Sequence, residues 1–339
     1  MTSIQTMSAV QPAHVVLLGA TGFVGSAVLR HLAAQPLRVR AVSRRPAAVP
    51  DGAVADIEVC PLELTEPGAV ADVVADADVV VHTVAHIAGS STWRIDDGDR
   101  AAERVNVGLV HDLVEAARRR RGRDRQRIVF AGATSQVGAH DREVIDGTEP
   151  DRPSDEYSRQ KLAAERALLA ADAEGVLHGV SVRLPAMYGY GPDSTARDKG
   201  VVSTMVRRAL DGEPLTMWHD GTVRRDLLYV EDAAAGLVAA THYVPHLSGR
   251  RWLLGTGRGE ALGDVFRTIA ETVARQTGKP PVKVVPVPPP DYAEPGDFRS
   301  ITIDSSAFRG VTGWRPMVPL VEGLCRTVEF CVRGGEAAL

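Results

Sequence analysis

The sequence predicts an α/β fold, a doubly wound parallel sheet with a smaller C-terminal substrate-binding domain. Three observations predict it. Short aliphatic runs alternate with stretches of helical spacing from Val15 to Leu184. The first run ends in glycines three apart, Gly19, Gly22 and Gly25. After Pro185 the rhythm changes, and glycines, prolines and tyrosines crowd Tyr188 to Pro192.

Val15-Val16-Leu17-Leu18 reads as a strand buried on both faces, and Ser26 to Leu32 has helical spacing. Strand, glycine turn and helix in that order bind a dinucleotide. Gly19 allows the tight turn, Gly22 lets backbone approach a pyrophosphate, and Gly25 lets the helix pack close. The unpaired N–H groups and positive dipole end of the helix then face the phosphates. Thr21, Phe23 and Val24 complete this expected cofactor turn.

Leu37 to Ser43 reads as a second strand, Ala53 to Val59 as a third, Glu66 to Ala75 as a helix, and Asp78 to Thr83 as a fourth strand. Ala101 to Arg121 forms a long helix with Val105, Leu109, Leu113 and Val114 along one side. Arg127 to Ala131 is a fifth strand, Ser154 to Ala171 a helix, and Gly179 to Leu184 a further strand. This alternation makes the sheet a Rossmann type. The helix Val230 to Thr241 and the strand Trp252 to Leu254 are expected to rejoin it. Residues 1–13 are read as a disordered tail, and 14–185 with about 226–255 as the dinucleotide domain. Residues 186–225 and 256–339 form the expected substrate domain, with a proline-rich connector at Pro280 to Pro290.

A net charge of −4 points to neither a nucleic-acid nor a membrane surface. The run Arg118 to Arg123 ends a helix and lacks interleaved aromatics, so it reads as a solvated helix end. Cys60, Cys325 and Cys331 are too few for a disulfide framework, which makes a reducing cytoplasm the expected location. No apolar run reaches the ~20 residues of a membrane span. The pairs His82 with His86 and His242 with His246 have four-residue spacing. One pair leaves a strand and Pro245 interrupts the other, so no metal site is expected.

The residue ending the second strand should separate NAD from NADP, since a carboxylate there would repel a 2′-phosphate. Ser43, Arg44 and Arg45 stand at this position, and a hydroxyl with two cations suits NADPH. A solvated arginine loop is the bland alternative. Glu63 and Leu64 are placed to meet the adenine, and Thr83, Val84 and Ala85 to lie along the nicotinamide side. Tyr157 and Lys161, four apart, share one helix face. The ammonium should lower the tyrosine pKa and make Tyr157 a proton donor to a carbonyl under reduction. Lys161 could also hold the nicotinamide ribose. Thr134 is the expected partner of the carbonyl oxygen and Ser135 the second candidate, although both also suit a strand-ending turn.

These stretches together resemble the extended short-chain dehydrogenase/reductases of the epimerase/dehydratase family. The matching pieces are Gly19 to Gly25, His82-Thr83-Val84-Ala85, Asn106 with Gly108, and Tyr157 with Lys161. Arg183-Leu184-Pro185, Tyr188-Gly189, Arg225 to Asp232 and Gly313-Trp314-Arg315-Pro316 continue in family order. The stretches Phe130 to Gly138, Trp218 to Thr222 and Asp297 to Ser300 are most similar to the 4-ketoreductases of deoxysugar biosynthesis. The resemblance implies NADPH-dependent reduction of the C4 keto group of a dTDP-4-keto-6-deoxyhexose, in a homodimer. It implies that Pro185 contacts the cofactor, Ser135 the substrate, and that Arg225 grips the substrate diphosphate.

Five positions depart from the family pattern. Counted without a gap from Gly138, Ala133 takes the usual Ser/Thr place. Ser135-Gln136 replaces the Asp-Glu pair of the dehydratases, which argues against dehydration. Ala186 and Glu294 replace a phosphate-binding asparagine and arginine, with Arg299 a possible substitute for the latter. The alternatives are an epimerase that keeps NAD bound, a reductase of a non-nucleotide carbonyl, and a redox-sensing binding protein. The last has no need of Tyr157 and Lys161 together.

Overall fold

The computed structural model describes residues 9, 12–87, 95–120, 124–138, 140–191, 194, 196–290, 293 and 295–334. Most of the expected tail, Arg121 to Arg123 and Glu294 lie outside these residues.

The chain opens with β1 (His14–Leu18), α1 (Phe23–Ala33), β2 (Arg38–Ser43), β3 (Asp56–Pro61), α2 (Ala69–Val74) and β4 (Val79–His82). The expected long helix runs as α3 (Arg100–Glu103), a π turn (Arg104–Gly108) and α4 (Leu109–Arg119). Then come β5 (Gln126–Ala133), a 3-10 turn (Thr134–Val137), β6 (Val144–Ile145), α5 (Glu156–Ala173) and β7 (Leu177–Leu184).

Seven strands make one sheet, and every pairing in it is parallel. From β1 the chain adds β2 and β3 on one side, then crosses back to add β4, β5 and β7 on the other. The order reverses between β1 and β4, and a crevice opens beyond the strand ends there. The strands alternate between two cores. Val15, Leu17, Val79, Val81 and Val129 face one, and Val16, Leu18, Val80, Ile128 and Phe130 face the other. Helix α1 covers the first face, while α2, α4 and α5 cover the second.

The remaining elements are β8 (Ala186–Tyr188), α6 (Val201–Leu210), β9 (Leu215–Met217), β10 (Arg224–Arg225), β11 (Leu227–Tyr229) and α7 (Val230–His242). They continue with α8 (Val244–Leu247), β12 (Arg250–Leu253), β13 (Glu260–Ala261), α9 (Leu262–Thr277) and β14 (Val284–Pro286). A 3-10 turn (Pro295–Phe298), β15 (Thr302–Ile303), α10 (Ser306–Thr312) and α11 (Leu320–Val332) complete the described chain. As the sequence indicates, α7 packs onto the first core and β12 joins the edge of the sheet beside β7. Helices α6, α9 and α11 enclose a third core around Val206, Phe266, Ile269 and Leu324.

Two boundaries shift for local reasons. Helix α2 begins at Ala69 rather than Glu66, because Gly68 is left-handed at φ +85° behind Pro67. Strand β3 starts at Asp56, since the N–H groups of Val54 and Ala55 both donate to the Ala33 carbonyl. The segment from Pro295 to Ile303 crosses to the loop after β5, where β15 pairs with β6 and Arg299 Nη1 donates to the His140 carbonyl at 2.7 Å.

Candidate active site

The glycine turn sits at the reversal point of the sheet. Gly19 has φ +94°, and its N–H and that of Ala20 both donate to the Val42 carbonyl. A Cβ on Gly25 would lie 1.9 Å from the Gly19 carbonyl oxygen, so only glycine lets α1 approach this closely. At Gly22 a Cβ would meet nothing within 4 Å except the Gly19 oxygen at 3.2 Å. Gly22 caps α1 without a side-chain bond, and no acidic residue occupies the first turn. The helix therefore presents open N–H groups beside an open backbone face, which fits a dinucleotide pyrophosphate. Phe23 and Val24 pack against the first core.

At the end of β2 the Ser43 hydroxyl donates to the Arg45 carbonyl at 2.7 Å, and Arg44 and Arg45 are exposed. Glu63 Oε1 accepts from the N–H and hydroxyl of Thr65 at 3.1 and 2.8 Å. Those bonds, with lesser help from the Arg44 and Arg104 charges, hold its carboxyl below the usual range. Leu64 turns into the second core, away from the adenine contact expected of it, and of that pair Glu63 alone stays outside the core. Thr83 donates from both N–H and hydroxyl to the Leu18 carbonyl, which pins the end of β4 against the glycine turn. Val84 packs on the second core, Ala85 is exposed, and Pro185 is buried just beyond β7.

Asn106 was matched to the family without a role, and the structure supplies one. It sits on the π turn, accepts from His86 N–H at 2.7 Å, and donates to His86 O and to Gln160 Oε1. The segment after β4 is thereby clipped to α5. Such π turns recur at functional sites, and residue spacing alone does not reveal them.

The 3-10 turn after β5 carries Thr134 and Ser135. Its anchor is Gln136, fully buried, whose Oε1 accepts from Ala133 N–H at 2.7 Å. Thr134 is half-buried, and its hydroxyl bonds to no other group among the described residues. Ser135 differs. Its Oγ lies 2.8 Å from Ser158 Oγ, which in turn lies 2.7 Å from Asp155 Oδ2. Asp155 caps α5, accepting from Ser158 N–H at 2.8 Å through Oδ1.

Helix α5 places Tyr157, Lys161 and Glu165 on one face, one turn apart. Glu165 is buried against Arg183 and Ser181, and Arg183 reaches Asp151 as well. Lys161 Nζ donates to the Ala131 carbonyl at 2.6 Å and stands 4.4 Å from the centre of the Phe130 ring. Burial lowers its pKa to about 7, against a smaller opposing pull from Glu165. Tyr157 does not behave as the sequence led us to expect. Burial raises the phenol pKa, and the Asp155 charge raises it further, because a phenolate there would lose water and face a carboxylate. His82 is wholly buried beside Phe130 and neutral, with burial and then the Lys161 charge lowering its pKa to about 3.

Arg225 also needs correction. Its Nη1 donates to the carbonyls of Arg224 and Arg299, and its Nη2 to those of Gly296 and Asp297. The guanidinium fork is occupied by the 295–299 turn, which leaves no paired donors for a diphosphate. No group of three His, Cys, Asp or Glu side chains among the described residues could hold a metal ion. No helix among them is long and apolar enough to cross a membrane.

A family model described as the NAD dependent epimerase/dehydratase family matches residues 15–255. The dTDP-6-deoxy-L-talose 4-dehydrogenase (NAD(P)(+)) of Kitasatospora kifunensis is 28% identical over 330 residues, covering 92% of this chain and 94% of that protein. The dTDP-L-rhamnose 4-epimerase of Burkholderia thailandensis is 25% identical over 359 residues, covering 91% and 92%. Among solved structures, MoeE5 in complex with UDP-glucose and NAD is similar at a TM-score of 0.76 and 28% identity, over 95% of this chain and 99% of that one.

Proposed function

The chain belongs to the NAD-dependent epimerase/dehydratase family, and from that premise we propose that it is an NADPH-dependent reductase of the C4 keto group of a dTDP-4-keto-6-deoxyhexose. The observation that carries this reading is the end of β2, where Ser43, Arg44 and Arg45 take the place of a ribose-binding carboxylate. Two exposed guanidinium groups suit a 2′-phosphate, and a releasable NADPH suits net reduction over an internal return of hydride. The Kitasatospora relative's name gives a C4 oxidation of a dTDP-6-deoxy sugar, the reverse of this reaction.

When bound, NADPH supplies the hydride. The glycine turn and α1 would hold its pyrophosphate, Glu63 its adenine, and Thr83 to Ala85 would line its nicotinamide half. Thr134, whose hydroxyl has no partner among the described residues, donates to the substrate carbonyl oxygen. Tyr157 gives its proton to that oxygen as it becomes basic, and the raised pKa keeps the phenol protonated until then. Lys161 holds positive charge beside the forming phenolate. Gln136 is neutral and turned into the core, so the turn offers no base for dehydration. In this reading residues 186–225 and 256–334 close over the substrate.

A second reading has one observation in its favour. With the Arg225 fork engaged, a carbonyl compound lacking a nucleotide would meet the same reducing machinery. Oxidation of NADPH and of NADH is measured with freshly made dTDP-4-keto-6-deoxyglucose, followed by absorbance. The proposal expects steady NADPH consumption, with NADH much slower. An altered sugar without net consumption, and NAD bound to the purified protein, would instead make it an epimerase.

A further inference from the structure

The contacts around Ser135 assign it a direction. The Asp155 carboxylate only accepts hydrogen bonds, so its 2.7 Å contact with Ser158 Oγ consumes the single Ser158 hydroxyl proton. Ser158 then has only lone pairs to offer across its 2.8 Å contact with Ser135, and the Ser135 proton must fill that contact. With its proton committed inward, Ser135 shows lone pairs alone to the cleft. Thr134, one residue earlier on the same 3-10 turn, has no hydroxyl partner among the described residues.

We propose that Ser135 is a specificity-determining acceptor for a substrate hydroxyl next to the reacting carbonyl, and that Ser158 and Asp155 are positioning residues that fix its polarity. The proposal rests on the reductase reading, and it divides labour on the turn. Thr134 donates to the carbonyl oxygen while Ser135 accepts from the vicinal hydroxyl. A bidentate pair of this kind recognises an α-hydroxy ketone, the group a 4-keto sugar presents through its C3 hydroxyl. Three linked hydroxyl and carboxylate groups polarise one another, which strengthens the terminal acceptor.

The obvious rival role for Asp155 is that of a helix cap, and one substitution separates the two. Asn caps a helix as well as Asp does. In Asp155→Asn the amide oxygen that retains the Ser158 N–H turns the NH₂ toward Ser158 Oγ. That reverses the chain, and the Ser135 proton is driven into the cleft. The experiment measures binding by calorimetry, and turnover, of dTDP-4-keto-6-deoxyglucose and its 3-O-methyl ether, whose oxygen can only accept. Wild type, Asp155→Asn and Ser158→Ala are compared, with thermal melting as the check on folding.

Wild type should prefer the hydroxyl-bearing compound by about tenfold, the worth of one good hydrogen bond. Asp155→Asn and Ser158→Ala should both melt near wild type, the first reversing that preference and the second levelling it, both through KM and Kd. An unchanged preference in either folded variant overturns the proposal. So does equal loss on both compounds, which would mark Asp155 as a cap alone. If both compounds bind with the expected preference yet neither is reduced, the reductase reading fails and the Ser135 assignment stands. If neither binds, both fall.

Discussion

At the scale of single residues, Lys161 is a buried charge that makes the stability of the protein depend on pH. Its pKa falls from an ordinary 10.5 to about 7, chiefly by burial. Below about pH 7 the lysine is charged in both folded and unfolded chains, and the full burial penalty is present. Between about 7 and 10.5 the folded protein has released a proton that the unfolded chain still binds, so stability rises with pH. Relative to Lys161→Met, wild type should gain up to about 1.4 kcal/mol per pH unit across that window. Urea titrations at a series of pH values measure this, and a flat difference would place the ammonium in a better solvated site. The sequence made the Tyr157 and Lys161 pair legible, because a spacing of four on a helix has one geometric meaning. It could not show the sign of the tyrosine shift. That sign depends on how much water the fold removes and on Asp155, neither of which spacing encodes. The Ser135 to Ser158 contact likewise joins residues 23 apart through a helix cap and a strand end.

At the scale of elements, α5 is the part whose placement decides the site. One face carries Tyr157 and Lys161 into the crevice and Glu165 into a buried pair with Arg183. Ser181 adds a third bond to Glu165, and Asp151 takes another arm of Arg183. Glu165→Gln would leave the guanidinium charge only partly compensated inside the protein. A loss of about 3 kcal/mol is expected, at the low end for a broken buried pair because Asp151 remains. Denaturant unfolding checks it, and a loss under about 1 kcal/mol would show that Asp151 neutralises Arg183 unaided. Strand and helix order was readable because buried parallel strands are aliphatic throughout and their helices repeat every three or four residues. The π turn was not. Its residues Arg104 to Gly108 fall within the apolar spacing of the long helix, which does not tell a π turn from an α turn, and Asn106 gains its purpose only by meeting His86 and Gln160 from other elements.

At the scale of the whole molecule, the late segment from Pro295 to Ile303 binds the outer elements to the sheet. It is held at one end by β15 on β6 and at the other by the Arg225 fork. The family resemblance led us to expect a phosphate ligand at Arg225, and only the fold could correct it. The partners are backbone carbonyls some seventy residues later, and carbonyls carry no sequence signature. Each such bond contributes about 1 kcal/mol, so Arg225→Ala should make local opening of this segment about a hundredfold more frequent. Trypsin cleavage at Arg299, whose exposed side chain donates to His140 O and whose carbonyl is held by Arg225, reports that opening. The variant should be cut far faster than wild type while its affinity for a nicotinamide dinucleotide changes little, since neither the glycine turn nor β2 takes part in the Arg225 contacts. In the reaction proposed above, the KM for the keto sugar should rise with the loosened segment. Unchanged cleavage with a large loss of affinity for the dTDP moiety alone would mean that the fork releases its carbonyls and binds phosphate after all. The segment would then be ordered by substrate as well as by Arg225, and closure over the cleft would be a consequence of binding.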